Sequence, residues 1–164
     1  MTISVGDTIP SGTLKRLDEQ GISDVHIEEY LKNKKVVLFS VPGAFTPTCS
    51  AKHLPGYVEG YQDVKDQGVN EIICIAVNDA FVMKAWEKDQ NAKGKVTLLA
   101  DGNGDFSEKI GLSFDGSKFG LGIRGQRFAM IIDNCTITHL AVEEPGAFEV
   151  SNVENILEQL KKKK

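Results

Sequence analysis

An α/β fold built as one domain over residues 1–164 is what this chain predicts, and three observations predict it. The runs KVVLFSV at 35–41 and EIICIAV at 71–77 are apolar on both alternations, the pattern of strands buried on both faces of a sheet. Between them Leu54, Val58, Tyr61 and Val64 recur near helical spacing and Gln67-Gly68 supplies a stop, so the stretch makes a right-handed βαβ unit. A hydrophobic content of 41% in 164 residues is enough for a sizeable core.

The remaining elements follow in chain order. GTLKRL and GISDVHI flank the turn from Asp18 to Gly21 and predict an N-terminal hairpin. Past the βαβ unit, Asn78-Asp79 offers two good N-caps for a helix with Phe81, Val82, Ala85 and Trp86 on its buried side, ending near Gly94. VTLLA at 96–100 makes a short strand. A glycine-rich insertion from Asp101 to Gly125 comes next, predicted to be irregular and surface-facing with at most one short helix around Phe106 to Ile110. RFAMIID at 127–133 and TITHLAV at 136–142, joined at Asn134-Cys135, predict an antiparallel hairpin. In the last helix Ser151 and Glu154 match the S-x-x-E capping box, and Val153, Ile156, Leu157 and Leu160 form an i, i+3, i+4, i+7 stripe. No internal repeat or linker interrupts the chain. The order β-α-β, then β-β-α, is that of a thioredoxin-like fold with an N-terminal hairpin and a central glycine-rich insertion added.

Composition removes several function classes. The net charge of -4 argues against a nucleic-acid surface, and KKKK at 161–164 reads as a solvated tail. MTISVGDTIP has no charged region followed by an apolar stretch, and no run approaches membrane-spanning length, so a soluble, cytoplasmic protein is expected, with no membrane partner. Cys49, Cys74 and Cys135 are an odd set of thiols that suits a reducing compartment. There is no C-x-x-C pair, and His26, His53 and His139 show no zinc-ligand spacing with the cysteines. GLGIRG at 120–125 spells G-x-G-x-x-G but precedes a strand instead of opening a helix. DGNGDF at 101–106 begins like a calcium loop, yet Phe106 and Leu112 stand where it needs glycine and glutamate.

The stretch VPGAFTPTCS at 41–50 carries the chemistry. Cys49 follows the first central strand and begins the next helix, at the carboxyl edge of the sheet where ligands gather. A helix N-terminus favours thiolate over thiol, and the thiolate is the nucleophile. Thr46 can direct its hydroxyl toward the sulfur or toward a bound oxygen, while Pro42 and Pro47 stiffen the loop. Pro55 cannot donate to the carbonyl of Ala51, so a kink is expected in the helix that Cys49 begins. His53, four residues on, could share the helix face of Cys49 as in a Cys-His hydrolase, but no third group orients it and a packing or surface role is expected.

PGAFTPTCS resembles the peroxiredoxin signature P-x-x-x-T-x-x-C, with Pro42, Thr46 and Cys49 at its defining positions, and its surroundings resemble the type II or type 5 subfamily. ICIAVNDAFVMKAW at 73–86, LLADGNGDFSEKIGL at 98–112 and GLGIRGQRFAMIIDN at 120–134 extend the similarity over nearly the whole chain. The resemblance implies a homodimer that reduces hydrogen peroxide and organic hydroperoxides through Cys49, without metal or prosthetic cofactor. It also implies that the Cys49 sulfenic acid is recycled by an external thiol, from glutathione, glutaredoxin or thioredoxin. The family's arginine at the start of a late strand matches Arg127; its guanidinium would favour the thiolate and bind peroxide oxygens, with Pro42 shielding the sulfur. Arg124, in the glycine-rich loop, is the competitor. In part of the subfamily a cysteine at the position of Cys74 resolves the sulfenic acid, but burial of IICIAV in mid-sheet places an outside thiol ahead of it. Cys135 matches no family role. Two other functions fit the same residues: a redox-responsive binding or chaperone protein, and a thiol-disulfide oxidoreductase, against which Thr46 stands where the first cysteine of C-x-x-C would be.

Overall fold

Both-face apolar runs place the strand β3 (Lys35–Ser40) and the strand β4 (Glu71–Ala76) at the heart of a seven-stranded sheet in the computed structural model, which describes residues 2–162. The other strands of the sheet are β1 (Thr13–Asp18), β2 (Gly21–His26), β5 (Thr97–Ala100), β8 (Phe128–Asp133) and β9 (Thr136–Val142). Their order is β2-β1-β5-β4-β3-β8-β9. Strands β3, β4 and β5 run parallel, and β8 pairs antiparallel with β3, so Phe39 faces Cys74 on one side and Ala129 on the other.

The period of two along each strand divides the core into two layers. Val37, Phe39, Ile72, Cys74, Ala129 and Ile131 point to one side, packed by α2 (Leu54–Glu59), α3 (Tyr61–Asp66), α4 (Ala80–Asp89) and α6 (Val153–Lys162). Val36, Leu38, Ile73, Ile75, Met130 and Ile132 point to the other, covered by α1 (Ile27–Tyr30), α5 (Asp105–Lys109) and Ile3 and Ile9 of the N-terminal segment. Continuous apolar runs were needed because both layers are filled.

Both predicted hairpins form. The Asn134-Cys135 link between β8 and β9 has left-handed backbone at both residues, φ 46° and 71°, as a two-residue hairpin turn requires. Four features depart from expectation. Helix α4 buries Ala80, Met83, Trp86 and Glu87 and leaves Phe81 and Ala85 exposed, because the indole N–H of Trp86 donates to Ser50 Oγ at 3.0 Å and sets the inward face. It also stops at Asp89, short of Gly94, where Asn91 turns left-handed at φ 55°. The glycine-rich insertion is neither fully irregular nor fully surface-facing: β6 (Ser113–Asp115) pairs with β7 (Ile123–Gly125), and Phe106, Ile110 and Leu112 are buried. The cap of α6 is Asn152, whose Oδ1 accepts from Asn155 N at 2.9 Å, while Ser151 Oγ donates to Glu143. Lys161 and Lys162 of the predicted tail form the last turn of α6; Lys163 and Lys164 lie outside the described residues.

Candidate active site

The chain leaves β3 at Ser40, and Val41 N still donates to Ile75 O before the backbone turns away at Pro42. Three contacts fix that turn. Ala44 N donates to Asn78 Oδ1 at 2.8 Å, Arg124 Nη1 donates to Pro42 O at 3.1 Å, and Arg124 Nε is anchored on Leu121 O at 3.0 Å. Gly43 leaves room for Arg124, since a Cβ there would lie 2.6 Å from its Nη1. Phe45 is half exposed in left-handed backbone at φ 64°, an unfavourable state for a bulky residue that the flanking contacts impose.

Ser50 N donates to Thr46 O at 2.9 Å, which makes Thr46 the N-cap, Pro47 the first helical residue and Cys49 the third. The Cys49 sulfur thus sits in the turn whose N–H groups lack intrahelical partners. Thr46 Oγ1 donates to Gly43 O at 2.6 Å, so its hydrogen is committed and its lone pairs stay free to accept. The expected kink takes the form of a π-helical turn over Cys49–His53, in which Leu54 N reaches Cys49 O just before Pro55. The extra residue absorbs the donor that proline lacks.

Arg127, immediately before β8, divides its guanidinium between two partners. Nη2 lies 3.1 Å from Cys49 Sγ and Nη1 lies 2.8 Å from His53 Nδ1. The other ring nitrogen, His53 Nε2, is 3.0 Å from Ser151 O. A carbonyl only accepts, so Nε2 carries the proton and Nδ1 accepts from Arg127. That tautomer is neutral. Burial, then the adjacent Arg127 charge, pull the His53 pKa down to about 3. Phe39, Tyr57 and Phe148 enclose the imidazole with ring centroids at 4.7, 5.7 and 4.9 Å, and Tyr57 also donates to Ser151 O.

Of the predicted residues, Arg127 meets the fully buried Cys49, while Thr46 caps the helix that carries Cys49 and Pro42 opens the loop before it, just past the carboxyl end of β3. Arg124 braces the Pro42 loop instead of meeting the sulfur. Cys74 is fully buried in β4, and burial, then the neighbouring Cys49, push its thiol well up. Cys135 donates to Glu28 O at 3.4 Å in the β8–β9 turn. His53, expected to pack or face solvent, is a buried link to Arg127; its spacing of four from Cys49 was the available signal. Asn78, read as a helix cap, ties down the loop at Ala44, and Asp79 alone caps α4. Nothing local marked Ser151 as the partner of His53. DGNGDF supplies Asp101, which accepts from Phe106 N and Ser107 N at the start of α5. Among the described residues no group of His, Cys, Asp and Glu could hold a metal ion.

Chemically, the arrangement sets a fixed positive charge beside the Cys49 sulfur and leaves further guanidinium donors and the Thr46 lone pairs free for the oxygens of a bound molecule. The Redoxin family model matches residues 4–157. Peroxiredoxin-2D of Arabidopsis thaliana is 46% identical over 159 residues, covering 96% of this chain and 98% of that protein. Hybrid peroxiredoxin hyPrx5 of Haemophilus influenzae is 37% identical over 163 residues, 98% of this chain and 67% of that protein. The crystal structure of reduced Prx3 from Vibrio vulnificus in complex with H2O2 superposes with a TM-score of 0.94 at 50% identity, covering 97% of this chain and 99% of that one.

Proposed function

The chain belongs to the Redoxin family as a peroxiredoxin, a thiol-dependent peroxidase, and on that premise we propose that Cys49 attacks the peroxide, Thr46 and Arg127 hold it, Pro42 screens the sulfur and an external thiol completes the cycle. The observation that carries this is the Arg127 guanidinium 3.1 Å from the Cys49 sulfur. A fixed positive charge there stabilises the thiolate and stays in place as negative charge moves to the departing oxygen. The sulfur lone pair forms an S–O bond as the O–O bond breaks, and the leaving alkoxide or hydroxide takes up a proton. Cys49, oxidised by two electrons, becomes a sulfenic acid. Thr46 supports the geometry, because an oxygen whose hydrogen is committed to Gly43 accepts from the peroxide O–H and so holds that same oxygen for attack by sulfur. Hydrogen peroxide and organic hydroperoxides both present these groups, and the scheme uses no metal or prosthetic group.

An outside thiol then condenses with the sulfenic acid, releasing water, and a second thiol reduces the mixed disulfide. Glutathione, glutaredoxin and thioredoxin supply such thiols in a reducing cytoplasm. Burial of Cys74 as a protonated thiol supports the external route. A homodimer is supported by exposed Phe45 and Phe81, which flank the Ala44–Asn78 contact beside the site.

Peroxide loss followed with each donor in turn tests the scheme. Wild type should consume peroxide over many turnovers, Cys49→Ser none, and Arg127→Gln should slow oxidation by about a hundred-fold, the scale of losing one transition-state donor. A single turnover without recycling would instead identify a sensor. Sedimentation should show a dimer that Phe81→Asp dissociates; a monomeric wild type would count against the interface.

A further inference from the structure

Glu143, the first residue past β9, is a carboxylate only 7% exposed that the peroxide chemistry does not use. It gathers one loop around itself. Glu149 N, Val150 N, Ser151 N and Ser151 Oγ donate to its oxygens at 2.9, 2.9, 2.8 and 2.7 Å. Burial alone would push this carboxyl up, but the donors from Ser151, Glu149 and Val150 outweigh it and hold it below its ordinary range, so the group is ionised.

The clasped residue is the one that faces the site. Ser151 O accepts from His53 Nε2 at 3.0 Å and from the Tyr57 hydroxyl at 2.8 Å. His53 Nδ1 meets Arg127 Nη1, and Arg127 Nη2 meets the Cys49 sulfur. The circuit closes through the backbone, since Glu143 N donates to Arg127 O at 3.0 Å. Glu143 therefore grips Arg127 at its main chain and, through Ser151 and His53, at its guanidinium. Phe148 of the clasped loop packs on His53 and lies 5.7 Å from the Arg127 guanidinium carbon, so the loop also walls the pair.

We propose that Glu143 is a positioning residue for peroxide reduction, which sets the tautomer of His53 through the Ser151 carbonyl and thereby the aim of Arg127 at Cys49. The proposal rests on the peroxidase reading of that site. Without the clasp, the Ser151 carbonyl moves, Nε2 loses its fixed acceptor and the ring is free to place its proton on Nδ1. A protonated Nδ1 would meet the guanidinium donor to donor. Arg127 would then turn from the sulfur.

The test is a double-mutant cycle on the second-order rate of Cys49 oxidation by hydrogen peroxide, with the 15N shifts of His53 read in parallel. Glu143→Gln keeps the shape but removes the charge and half of the acceptors; the rate should fall about ten- to a hundred-fold, the range for a displaced reacting group. On the Arg127→Gln background the same change should have almost no further effect, because the relay ends on the missing guanidinium. The His53 shifts of wild type should be those of a single neutral ring protonated at Nε2, and those of Glu143→Gln should move toward averaged values. If Glu143→Gln fails to fold, Ser151→Ala removes only one donor to the carboxylate and should show a smaller loss that also vanishes on the Arg127→Gln background. A rate within two-fold of wild type for the folded variants, a loss that persists in full without Arg127, or unchanged His53 shifts would each overturn the proposal. A wild type that consumes no peroxide would sink the peroxidase reading, while the His53 shifts would still report on the relay.

Discussion

At the scale of single residues, His53 is the group with the sharpest pH consequence. It is neutral and 1% exposed in the folded protein, with its pKa drawn from an ordinary 6.5 down to about 3 by burial and then by Arg127. The unfolded chain therefore binds a proton between those values that the native state refuses, so the contribution to stability is intact above about pH 6.5 and is lost as pH falls toward 3. Glu143 acts in the same direction lower down: its folded carboxyl is held below its ordinary 4.5, and its contribution is present above that value and lost as pH falls through the folded one. Urea unfolding free energy measured against pH should slope downward from pH 6.5, and His53→Gln, whose amide can donate to Ser151 O and accept from Arg127, should flatten that slope. Parallel slopes for the two proteins would place the acid sensitivity elsewhere. Cys49 and Thr46 were legible in the sequence because the signature packs them within eight residues of Pro42. Arg127 was legible through family resemblance alone. The partners of His53 were not, since Arg127 and Ser151 lie 74 and 98 residues away and only the folded sheet brings them together.

Elements repeat this contrast between local and distant causes. Strands β3, β4, β5 and β8 were readable because two filled core layers demand apolar residues at nearly every position, a pattern written along the chain itself, whereas the edge strand β9 was readable from its link to β8 at Asn134-Cys135. The inward face of α4 was misread because Phe81 looked the better core residue, whereas the contact of Trp86 with Ser50 orients the helix. The cap of α6 slipped by one residue because Glu143, in another element, takes the Ser151 hydroxyl. The π-helical turn at Cys49–His53 joins both kinds of cause: Pro55 announces a break, and the contacts of Cys49 and His53 with Arg127 decide where it falls. Oxidation of Cys49 to a sulfenic acid would change the sulfur partner of Arg127 and add an oxygen to a fully buried site. Residues 46–54 should then lose protection first. Hydrogen exchange on the reduced protein and on the form oxidised and trapped as a mixed disulfide should show faster exchange there and unchanged exchange in β3 and β4. Equal protection of 46–54 in the two forms would mean that the turn is as rigid as the helix it feeds.

For the molecule as a whole, the question is whether the sheet permits Cys74 to resolve the Cys49 sulfenic acid. Cys74 is paired on both sides, with Phe39 of β3 and Leu98 of β5, and has no exposed surface. Its thiol is pushed well up by burial, so little of the attacking thiolate exists. A disulfide needs Cα atoms within about 7 Å and opposed Cβ vectors. Cys49 and Cys74 share one core layer but are not bonded, so joining them requires the Cys49 turn or β4 to move, and opening β4 at the centre of the seven-stranded sheet approaches the free energy of global unfolding. The Cys49 turn, by contrast, lies past the carboxyl end of β3 beside partly exposed Thr46 and Pro42, where a donor thiol can approach once the turn loosens. After one equivalent of peroxide, mass spectrometry should therefore find the sulfenic acid, or a donor adduct, on Cys49 and no Cys49-Cys74 bridge. Cys74→Ala, chosen because it buries no new hydroxyl, should lose about 1 kcal/mol of stability for the small void and keep most of its turnover with glutathione or glutaredoxin. Cys49→Ser should lose all turnover. A near-complete Cys49-Cys74 bridge, joined to loss of turnover in Cys74→Ala with every donor, would mean that the sheet opens at its centre during each cycle and that burial does not protect a thiol there.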